Sequence, residues 1–216
     1  MKVIEIFDSI DGEGIFTGCL ATFIRLSGCN MRCRYCDTEY SFTGGEEMSV
    51  DDILKAVKDI GNKHITITGG EPLIHKDIAE LINVLCDAGY IVNIETNGSV
   101  DVKQFQNDNT VITMDYKTIS SGENSKMQNE RINSLRECDV LKIVCRESDF
   151  SDMYYMLSTV KTKAHIFVSP IFCEIEPQKL VDFVKTVRDH KICDNDDICV
   201  QVQLHKIIWQ PDARGV

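Results

Sequence analysis

The chain has 216 residues, of which 43% are hydrophobic and 26% charged, and its formal net charge is −11. This length suits one substantial domain with a core and is short for two. The acidic balance argues against a broad surface for nucleic acid or anionic membranes, and no apolar run approaches the roughly 20 residues of a membrane span. The opening residues also lack the apolar run of a secretory signal. We therefore expect one cytosolic domain over 1–216, with neither a nucleic acid nor a membrane as partner.

The first half of the chain alternates between predicted strands and helices. Two apolar runs, 3–7 and 21–28, predict strands. A helix is predicted next, because Ser49 and Asp52 can form a capping box and Gly61 follows the last turn. In chain order, the pattern predicts this helix over 49–61, a strand over 64–70, a helix over 76–89 and a strand over 90–96.

The second half repeats the alternation. In chain order it holds predicted strands at 110–116 and 139–145, a helix at 149–160, a strand at 164–170, a helix at 176–190 with Pro177 in its first turn, and a final apolar segment at 198–209. The polar stretch 117–134 predicts a mobile loop. This order predicts an α/β fold: a mostly parallel sheet with helical crossovers, curled into a truncated, partial (βα) barrel. Such folds carry their chemistry at the carboxyl ends of the strands.

The ten cysteines fall into two groups. Seven are scattered, mostly within apolar segments, and we expect them to be buried as small hydrophobic residues. These seven are Cys19, Cys86, Cys138, Cys145, Cys173, Cys193 and Cys199. The other three, Cys29, Cys33 and Cys36, follow the second strand with the spacing C-x3-C-x2-C. So close a set of thiols predicts a metal centre.

The spacing bears on which metal these three thiols hold. A structural zinc site takes four ligands, usually two C-x2-C pairs, and the sequence has no second pair. Disulfides are disfavoured in a reducing compartment. A [4Fe–4S] cluster on three cysteines leaves one iron open to a small molecule, and we favour this interpretation. A zinc-stabilised binding module stays open as an alternative. So does an electron carrier, although a carrier normally closes its cluster with four cysteines.

The motif C-x3-C-x-aromatic-C, with Tyr35 as the aromatic residue, resembles the signature of radical SAM enzymes. This resemblance implies that Cys29, Cys33 and Cys36 ligate a [4Fe–4S] cluster in a loop over about 28–45. It also implies that S-adenosylmethionine (SAM) chelates the open iron and is cleaved to an adenosyl radical. The segment "TGGEP" at 68–72 resembles the glycine-rich segment that meets the amino group of SAM in these enzymes.

Further segments resemble the 7-carboxy-7-deazaguanine synthase family of the queuosine pathway. They are "EIFDSIDGEG" (5–14), "FIRLSGCNMRC" (23–33), "CDT" (36–38), "ETNG" (95–98) and "QLHKIIW" (203–209). The resemblance implies that 6-carboxy-5,6,7,8-tetrahydropterin becomes 7-carboxy-7-deazaguanine by hydrogen abstraction at C6, radical ring contraction and loss of ammonia, with SAM regenerated. The nearest rival is an activase that installs a glycyl radical on a partner protein. It shares the cluster loop but not the opening and C-terminal segments.

The resemblance also implies roles for individual residues. Substrate binding is implied for Ile10, Asp11, Gly12, Arg25, Thr68 and His205. SAM binding is implied for Tyr35, Cys36, Asp37, Gly70, Asp115, Tyr116 and Lys117. Thr38 is implied to ligate Mg²⁺ through its hydroxyl, a hard oxygen donor. Beyond the SAM-derived radical, no catalytic residue is implied.

Two departures from the family pattern stand out. Asp11 occupies a position where glutamine is common, and the tail beyond His205 is longer than in some members, so Val216 is given no role. Among partners, we expect the small pterin substrate and a flavodoxin or ferredoxin as electron donor. A homodimer is also expected, since a partial barrel leaves its sheet edges open.

Overall fold

Within residues 1–195 and 197–216, which the computed structural model describes, nine strands form one sheet. They are β1 (Lys2–Ile10), β2 (Leu20–Leu26), β3 (Glu46–Glu47), β4 (His64–Gly69), β5 (Ile91–Thr96), β6 (Thr110–Lys117), β7 (Val140–Cys145), β8 (His165–Pro170) and β9 (Ile198–Val200). Their order is β3-β1-β2-β4-β5-β6-β7-β8-β9. The pairs β1–β2 and β1–β3 are antiparallel, and all pairs from β2 to β9 are parallel. The sheet is open between β3 and β9, which confirms the predicted partial barrel.

Helices lie on most of the connections between parallel strands, and a last helix follows β9. They are α1 (Val50–Ile60), α2 (Ile78–Asp87), α3 (Asn129–Ile132), α4 (Phe150–Thr159), α5 (Pro177–Asp189) and α6 (His205–Ile208). The cap of α1 is as predicted: Ser49 Oγ accepts from the Asp52 amide at 3.1 Å, and Gly61 ends the helix at φ +90°. Pro177 begins α5. No helix in the described part of the chain is long and apolar enough to span a membrane.

Alternation along the strands separates an apolar face from a polar one. In β4, Ile65 and Ile67 belong to the apolar core, which also holds Val57 of α1, whereas Thr66 and Thr68 point to the opposite face. Because the parallel strands are in register, the polar positions of neighbouring strands lie side by side. They are Arg25, Thr66, Thr68, Asn93, Glu95, Thr113, Asp115, Lys117 and Lys142. This concave polar face holds the candidate site.

Three segments differ from the sequence-based expectation. Strand β1 runs to Ile10, three residues beyond the predicted end, because it pairs with the full length of β2. The stretch 117–134 is not an irregular loop but contains two 3₁₀ turns and α3, fixed by Asp149, whose carboxylate accepts from the Ser120 amide at 2.9 Å. The segment 198–209 divides into the short strand β9 and the helix α6.

The expected burial of the scattered cysteines is wrong for most of them. Of these seven, Cys145 alone is buried, and Cys86 and Cys193 are partly buried. The other four, Cys19, Cys138, Cys173 and Cys199, are exposed. The physical reason is local: a residue in an apolar segment can still lie in a turn or on the outward side of an edge strand such as β9.

Candidate active site

A cavity of about 370 Å³ opens where the parallel strands end. Its lining includes every site residue implied by the sequence except Asp11 and Tyr116. The lining members are Ile10, Gly12, Arg25, Cys29, Cys33, Tyr35, Cys36, Asp37, Thr38, Thr68, Gly70, Asp115, Lys117 and His205. Residues that lie far apart in the sequence, from the first turn to the last helix, thus meet in one place.

The three cysteines of the β2–α1 connection present partly buried free thiols to this cavity. The Met31 amide donates to Cys29 Sγ at 3.4 Å, which holds that sulfur in place. Burial raises the pKa of the Cys33 and Cys36 thiols, so a bound metal would have to displace their protons. Within the described residues, no three His, Cys, Asp or Glu side chains converge on a single ion. Three thiolates that each reach a different iron suit a [4Fe–4S] cluster, and the donor set fits that group.

The glycine-rich segment after β4 packs directly on the cysteine loop. The Glu71 amide donates to the Gly28 carbonyl at 2.8 Å, and the Gly70 amide donates to the Leu26 carbonyl at 3.2 Å. A Cβ on Gly70 would lie 2.1 Å from the Gly28 carbonyl oxygen and 2.7 Å from Cys29 Cβ. Glycine is required here because the two backbones touch.

Glu71 braces the segments on either side of the cysteine loop. Its buried carboxylate accepts from the Leu73 amide at 3.0 Å, from Thr96 Oγ1 at 2.8 Å and from the Asn97 amide at 2.6 Å. Burial raises the pKa of Glu71, although these donors oppose the rise. Asn97 in turn donates from Nδ2 to Asn30 Oδ1 at 2.9 Å. The "GGEP" and "ETNG" motifs therefore support the loop as well as line the cavity.

Charged pairs line the part of the cavity next to the cysteines. Lys117 Nζ donates to Asp115 Oδ2 at 3.0 Å. Lys206 Nζ, on α6, donates to Asp37 Oδ2 at 2.7 Å, and Thr38 Oγ1 donates to Asp37 Oδ1 at 2.8 Å. Desolvation alone would raise the pKa of Asp37, but Lys206, Thr38 and Lys142 together outweigh it and lower that pKa to about 2. The carboxylate is therefore ionised at any physiological pH.

Tyr116 points away from the cavity. Its hydroxyl donates to Asp152 Oδ2 at 3.2 Å and accepts from Asn124 Nδ2 at 3.0 Å. Burial raises the pKa of Tyr116 to about 12. In this geometry the side chain fixes the 117–134 segment to α4 and makes no contact with the cavity.

Arg25, which also lines the cavity, is held in a fixed orientation. Its Nε donates to Glu5 Oε1 at 2.7 Å, and Tyr40 donates to the same oxygen at 2.7 Å. The guanidinium carbon lies 5.7 Å from the ring centre of Phe7 and 5.8 Å from that of Tyr40. An arginine oriented through Nε is suited to bind a carboxylate with its terminal nitrogens.

The opening turn and the C-terminal helix close the cavity together. The Leu204 amide donates to the Gly12 carbonyl at 3.0 Å, and a Cβ on Gly12 would lie 2.0 Å from His205 Nδ1. Burial lowers the pKa of His205, so its imidazole is neutral at pH 7. Residues 210–216 also line the cavity, and the Arg214 guanidinium carbon lies 4.0 Å from the Tyr40 ring centre.

Asp11 is buried beneath the cavity. Its two carboxylate oxygens lie 2.9 Å and 3.1 Å from Thr66 Oγ1, which donates to them. Burial and the nearby charge of Glu95 raise the pKa of Asp11 to about 7. The neighbouring residues Ile10 and Gly12 line the cavity instead. Asp11 stands where the family commonly has glutamine, and its carboxyl group therefore contacts the protein interior.

The sequence-based reasoning missed a second group of polar residues in the cavity. Lys142 lies near the carboxylates of Glu13, Asp115 and Glu95, and Gln203 Nε2 donates to Glu13 Oε2 at 3.3 Å. One signal was available. Lys142 stands in "VLKIVC", where a charged residue interrupts an otherwise apolar strand, and alternation places it on the polar face.

The fold and the cysteine site define a class of enzyme. Residues 23–163 match the Radical SAM superfamily, whose members use a [4Fe–4S] cluster and SAM. Within that superfamily, the chain belongs to the 7-carboxy-7-deazaguanine synthase family. It is 40% identical to the synthase from Clostridium acetobutylicum over 100% of this chain and 99% of the relative. It is 39% identical to the synthase from Methanospirillum hungatei, over 98% and 86%.

The structural comparison agrees with this family. The fold is similar to the crystal structure of QueE from Escherichia coli, with a TM-score of 0.73 and 25% sequence identity. The similarity covers 94% of each chain. The likeness therefore extends well beyond the cysteine loop.

Proposed function

We propose that the protein is a 7-carboxy-7-deazaguanine synthase, a radical SAM lyase of 7-deazapurine and queuosine biosynthesis. It converts 6-carboxy-5,6,7,8-tetrahydropterin to 7-carboxy-7-deazaguanine with loss of ammonia. The observation that carries the proposal is the meeting of the three cysteines and the oriented Arg25 in one cavity. This shared cavity supports a radical generator and a carboxylate site acting on one small substrate.

The cluster and SAM, when bound, supply hydrogen abstraction at C6, which starts the ring contraction and ends with hydrogen returned and SAM regenerated. The residues of the chain bind the substrate and orient it. Arg25 binds the substrate carboxylate, and Thr68 and the neutral His205 contact the ring. Backbone groups of Ile10 and Gly12 contact the pterin edge, supported from below by Asp11. Segment 210–216 excludes water from the cavity.

On the other side of the cavity we assign SAM to residues around the cysteine loop. Gly70 allows the amino group of SAM to approach the backbone, and Tyr35, Asp37, Asp115 and Lys117 line the adjacent wall. Tyr116 lies outside the cavity and supports this wall through its hydrogen bonds with Asn124 and Asp152. Cys36 contacts SAM as a neighbour of the open iron.

Thr38 is proposed to ligate Mg²⁺. We expect Thr38→Ala to raise the Mg²⁺ concentration for half-maximal turnover at least about tenfold, the loss of roughly one oxygen ligand or hydrogen bond. The absorbance of the cluster should not change, because the three cysteines remain. The measurement is turnover against Mg²⁺ concentration, with Thr43→Ala, an exposed threonine of the same loop, as the matched control. The same Mg²⁺ response in Thr38→Ala and wild type would refute the assignment.

Partners and location are also proposed. An electron must reach the cluster from outside, and we propose a flavodoxin or ferredoxin as its donor. The open edges at β3 and β9 favour a homodimer, which sedimentation velocity can test. A cluster with an open iron is best maintained in a reducing compartment, which favours the cytosol.

The function is tested by anaerobic turnover followed by mass spectrometry. The mixture holds reconstituted protein, dithionite, SAM, Mg²⁺ and 6-carboxy-5,6,7,8-tetrahydropterin. A deazapurine carboxylate formed in excess over the SAM consumed is the expected result. Deoxyadenosine without deazapurine would keep the assignment to radical SAM enzymes but would point to another substrate, either the partner protein of a glycyl-radical activase or a different molecule. Neither product, with the cluster fully loaded, would contradict the proposal.

A further inference from the structure

Segment 210–216 crosses the open side of the partial barrel. The strand order leaves β1, with the two-residue β3, at one edge of the sheet and β9 at the other, and the segment follows β9 and α6 in the chain. At the start of α6, the Leu204 amide donates to the Gly12 carbonyl at 3.0 Å. Further along, a Cβ on Gly215 would lie 3.9 Å from Glu5 Oε2, on β1. The chain between these two contacts therefore bridges the two edges, and its residues line the cavity.

The segment is held in this place by few interactions. Within it, the Ala213 amide donates to the Gln210 carbonyl at 2.9 Å, which forms a turn. Among the described residues, it makes no hydrogen bond with the rest of the chain, and its one charged contact is that of Arg214 with the ring of Tyr40. A contact between an arginine and an aromatic ring is weak at an exposed site. Segment 210–216 can therefore open, and a ligand that touches it would hold it closed.

Arg214 brings a second guanidinium group to the surroundings of Arg25. The guanidinium carbon of Arg214 lies 4.0 Å from the centre of the Tyr40 ring, and that of Arg25 lies 5.8 Å from the same centre. Tyr40 also donates to Glu5 Oε1, the oxygen that accepts from Arg25 Nε. Both arginines line the cavity. Two guanidinium groups, one from β2 and one from the far end of the chain, are therefore gathered at one ring.

The two arginines differ in how their charges are balanced. Arg25 forms an ion pair with Glu5 at 2.7 Å. Arg214 has no carboxylate partner among the described residues, and Asp212, the only acidic residue of segment 210–216, forms no ion pair with it. One positive charge beside the cavity thus stays unbalanced, in a chain whose net charge is −11. A guanidinium group in this setting favours an anion with planar oxygens, such as a carboxylate.

We propose that Arg214 is a specificity-determining residue, which joins Arg25 in binding the carboxylate of the substrate, so that the bound carboxylate holds segment 210–216 closed across the cavity. This inference rests on the proposed function, because the 6-carboxypterin is the ligand that brings the carboxylate. Closure and recognition then depend on the same group. A pterin without the negative charge enters the cavity but leaves the segment free to open, because it offers Arg214 no anionic partner.

The first test measures equilibrium binding to the protein loaded with cluster and SAM, for the 6-carboxypterin substrate and for its 6-carboxamide analogue. Arg214→Gln is expected to weaken binding of the carboxylate about tenfold, the loss of roughly one charge-assisted hydrogen bond. Its affinity for the carboxamide should stay close to that of wild type. Arg214→Lys keeps the charge and should retain part of the preference for the carboxylate. Arg188→Gln, which changes an exposed arginine paired with Asp189, is the matched control and should bind both ligands like wild type.

Hydrogen exchange in segment 210–216 gives a second readout on the same proteins. In wild type the 6-carboxypterin should slow exchange across the segment, the Ala213 amide included, and the carboxamide should slow it less. In Arg214→Gln neither ligand should slow it.

Three results would overturn the inference. The first is wild-type affinity for the carboxylate in Arg214→Gln, and the second is an equal loss for carboxylate and carboxamide, which would reduce Arg214 to a packing role. The third is exchange that the carboxylate does not slow in wild type. Absence of any pterin binding by wild type would instead contradict the proposed function.

Discussion

Gly70→Ala is expected to reduce turnover at least about 10²-fold and to lower the iron bound per chain, although it adds only one methyl group. The added Cβ would lie 2.1 Å from the Gly28 carbonyl oxygen and 2.7 Å from Cys29 Cβ, so backbone must move. Either the β4 end or the cysteine loop is displaced, and a shift of about 1 Å is enough to disrupt a reacting geometry. The measurements are iron and sulfide per chain, SAM affinity and anaerobic turnover.

Gly61→Ala separates this contact from the general cost of replacing a glycine. Gly61 has φ +90°, so alanine is strained there, by about 1 kcal/mol, but its Cβ would meet no atom within 4 Å. Gly70 has no positive φ, so its cost comes from the contact alone. We expect Gly61→Ala to lose some stability while keeping its iron and its turnover. Full iron content, SAM affinity and turnover in Gly70→Ala would show that the loop tolerates the displacement and would refute the prediction.

The fold was accessible from the sequence because its signals are local and repeated. Each predicted strand in the parallel series is an apolar run that ends in polar or glycine residues, and each main helix has a stop or start signal such as Gly61 or Pro177. Parallel strands require crossovers, so the alternation predicted the sheet. The 117–134 segment was missed because its order comes from distant partners such as Asp149, which no local pattern reveals.

The site was accessible to the extent that it rests on close spacing. Cys29, Cys33 and Cys36 are neighbours in the sequence, and their grouping in the cavity follows from one loop. The pairing of Lys142 with Glu13 joins residues 129 positions apart, and its geometry follows from the barrel. Strand alternation could have indicated the face on which Lys142 lies, but not which carboxylates it would meet.

Burial explains why the sequence does not reveal which way an acidic side chain points. Glu71 and Asp11 look in the sequence like ordinary acidic residues after strands, which is where substrate contacts are expected. In the structure the Glu71 carboxylate accepts hydrogen bonds from three donors, and the Asp11 carboxylate accepts one from Thr66. Whether such a carboxylate turns to the cavity or to the interior depends on the donors beneath it. Those donors come from other strands.

Asp11→Asn is expected to be increasingly stable relative to wild type as the pH rises. In the folded protein, burial first and Glu95 second raise the pKa of Asp11 from 3.8 to about 7. The folded state therefore binds this proton more tightly than the unfolded state. The stabilisation is fully present below about pH 4 and is lost as the pH rises through about 7, at about 1.4 kcal/mol per pH unit. From about pH 5 to about pH 8 wild type should lose roughly 3 kcal/mol that the asparagine variant keeps.

The measurement is the free energy of unfolding across this range, for wild type and variant under the same anaerobic conditions. Asp59→Asn, which makes the same chemical change at an exposed carboxylate of α1, is the matched control. Thr66→Val should leave the direction of the effect intact, because desolvation and not the hydroxyl raises the pKa. A pH-independent difference between Asp11→Asn and wild type would mean that Asp11 is ionised in the folded protein. Its carboxylate would then need a cation or a solvent path to reach it beneath the cavity.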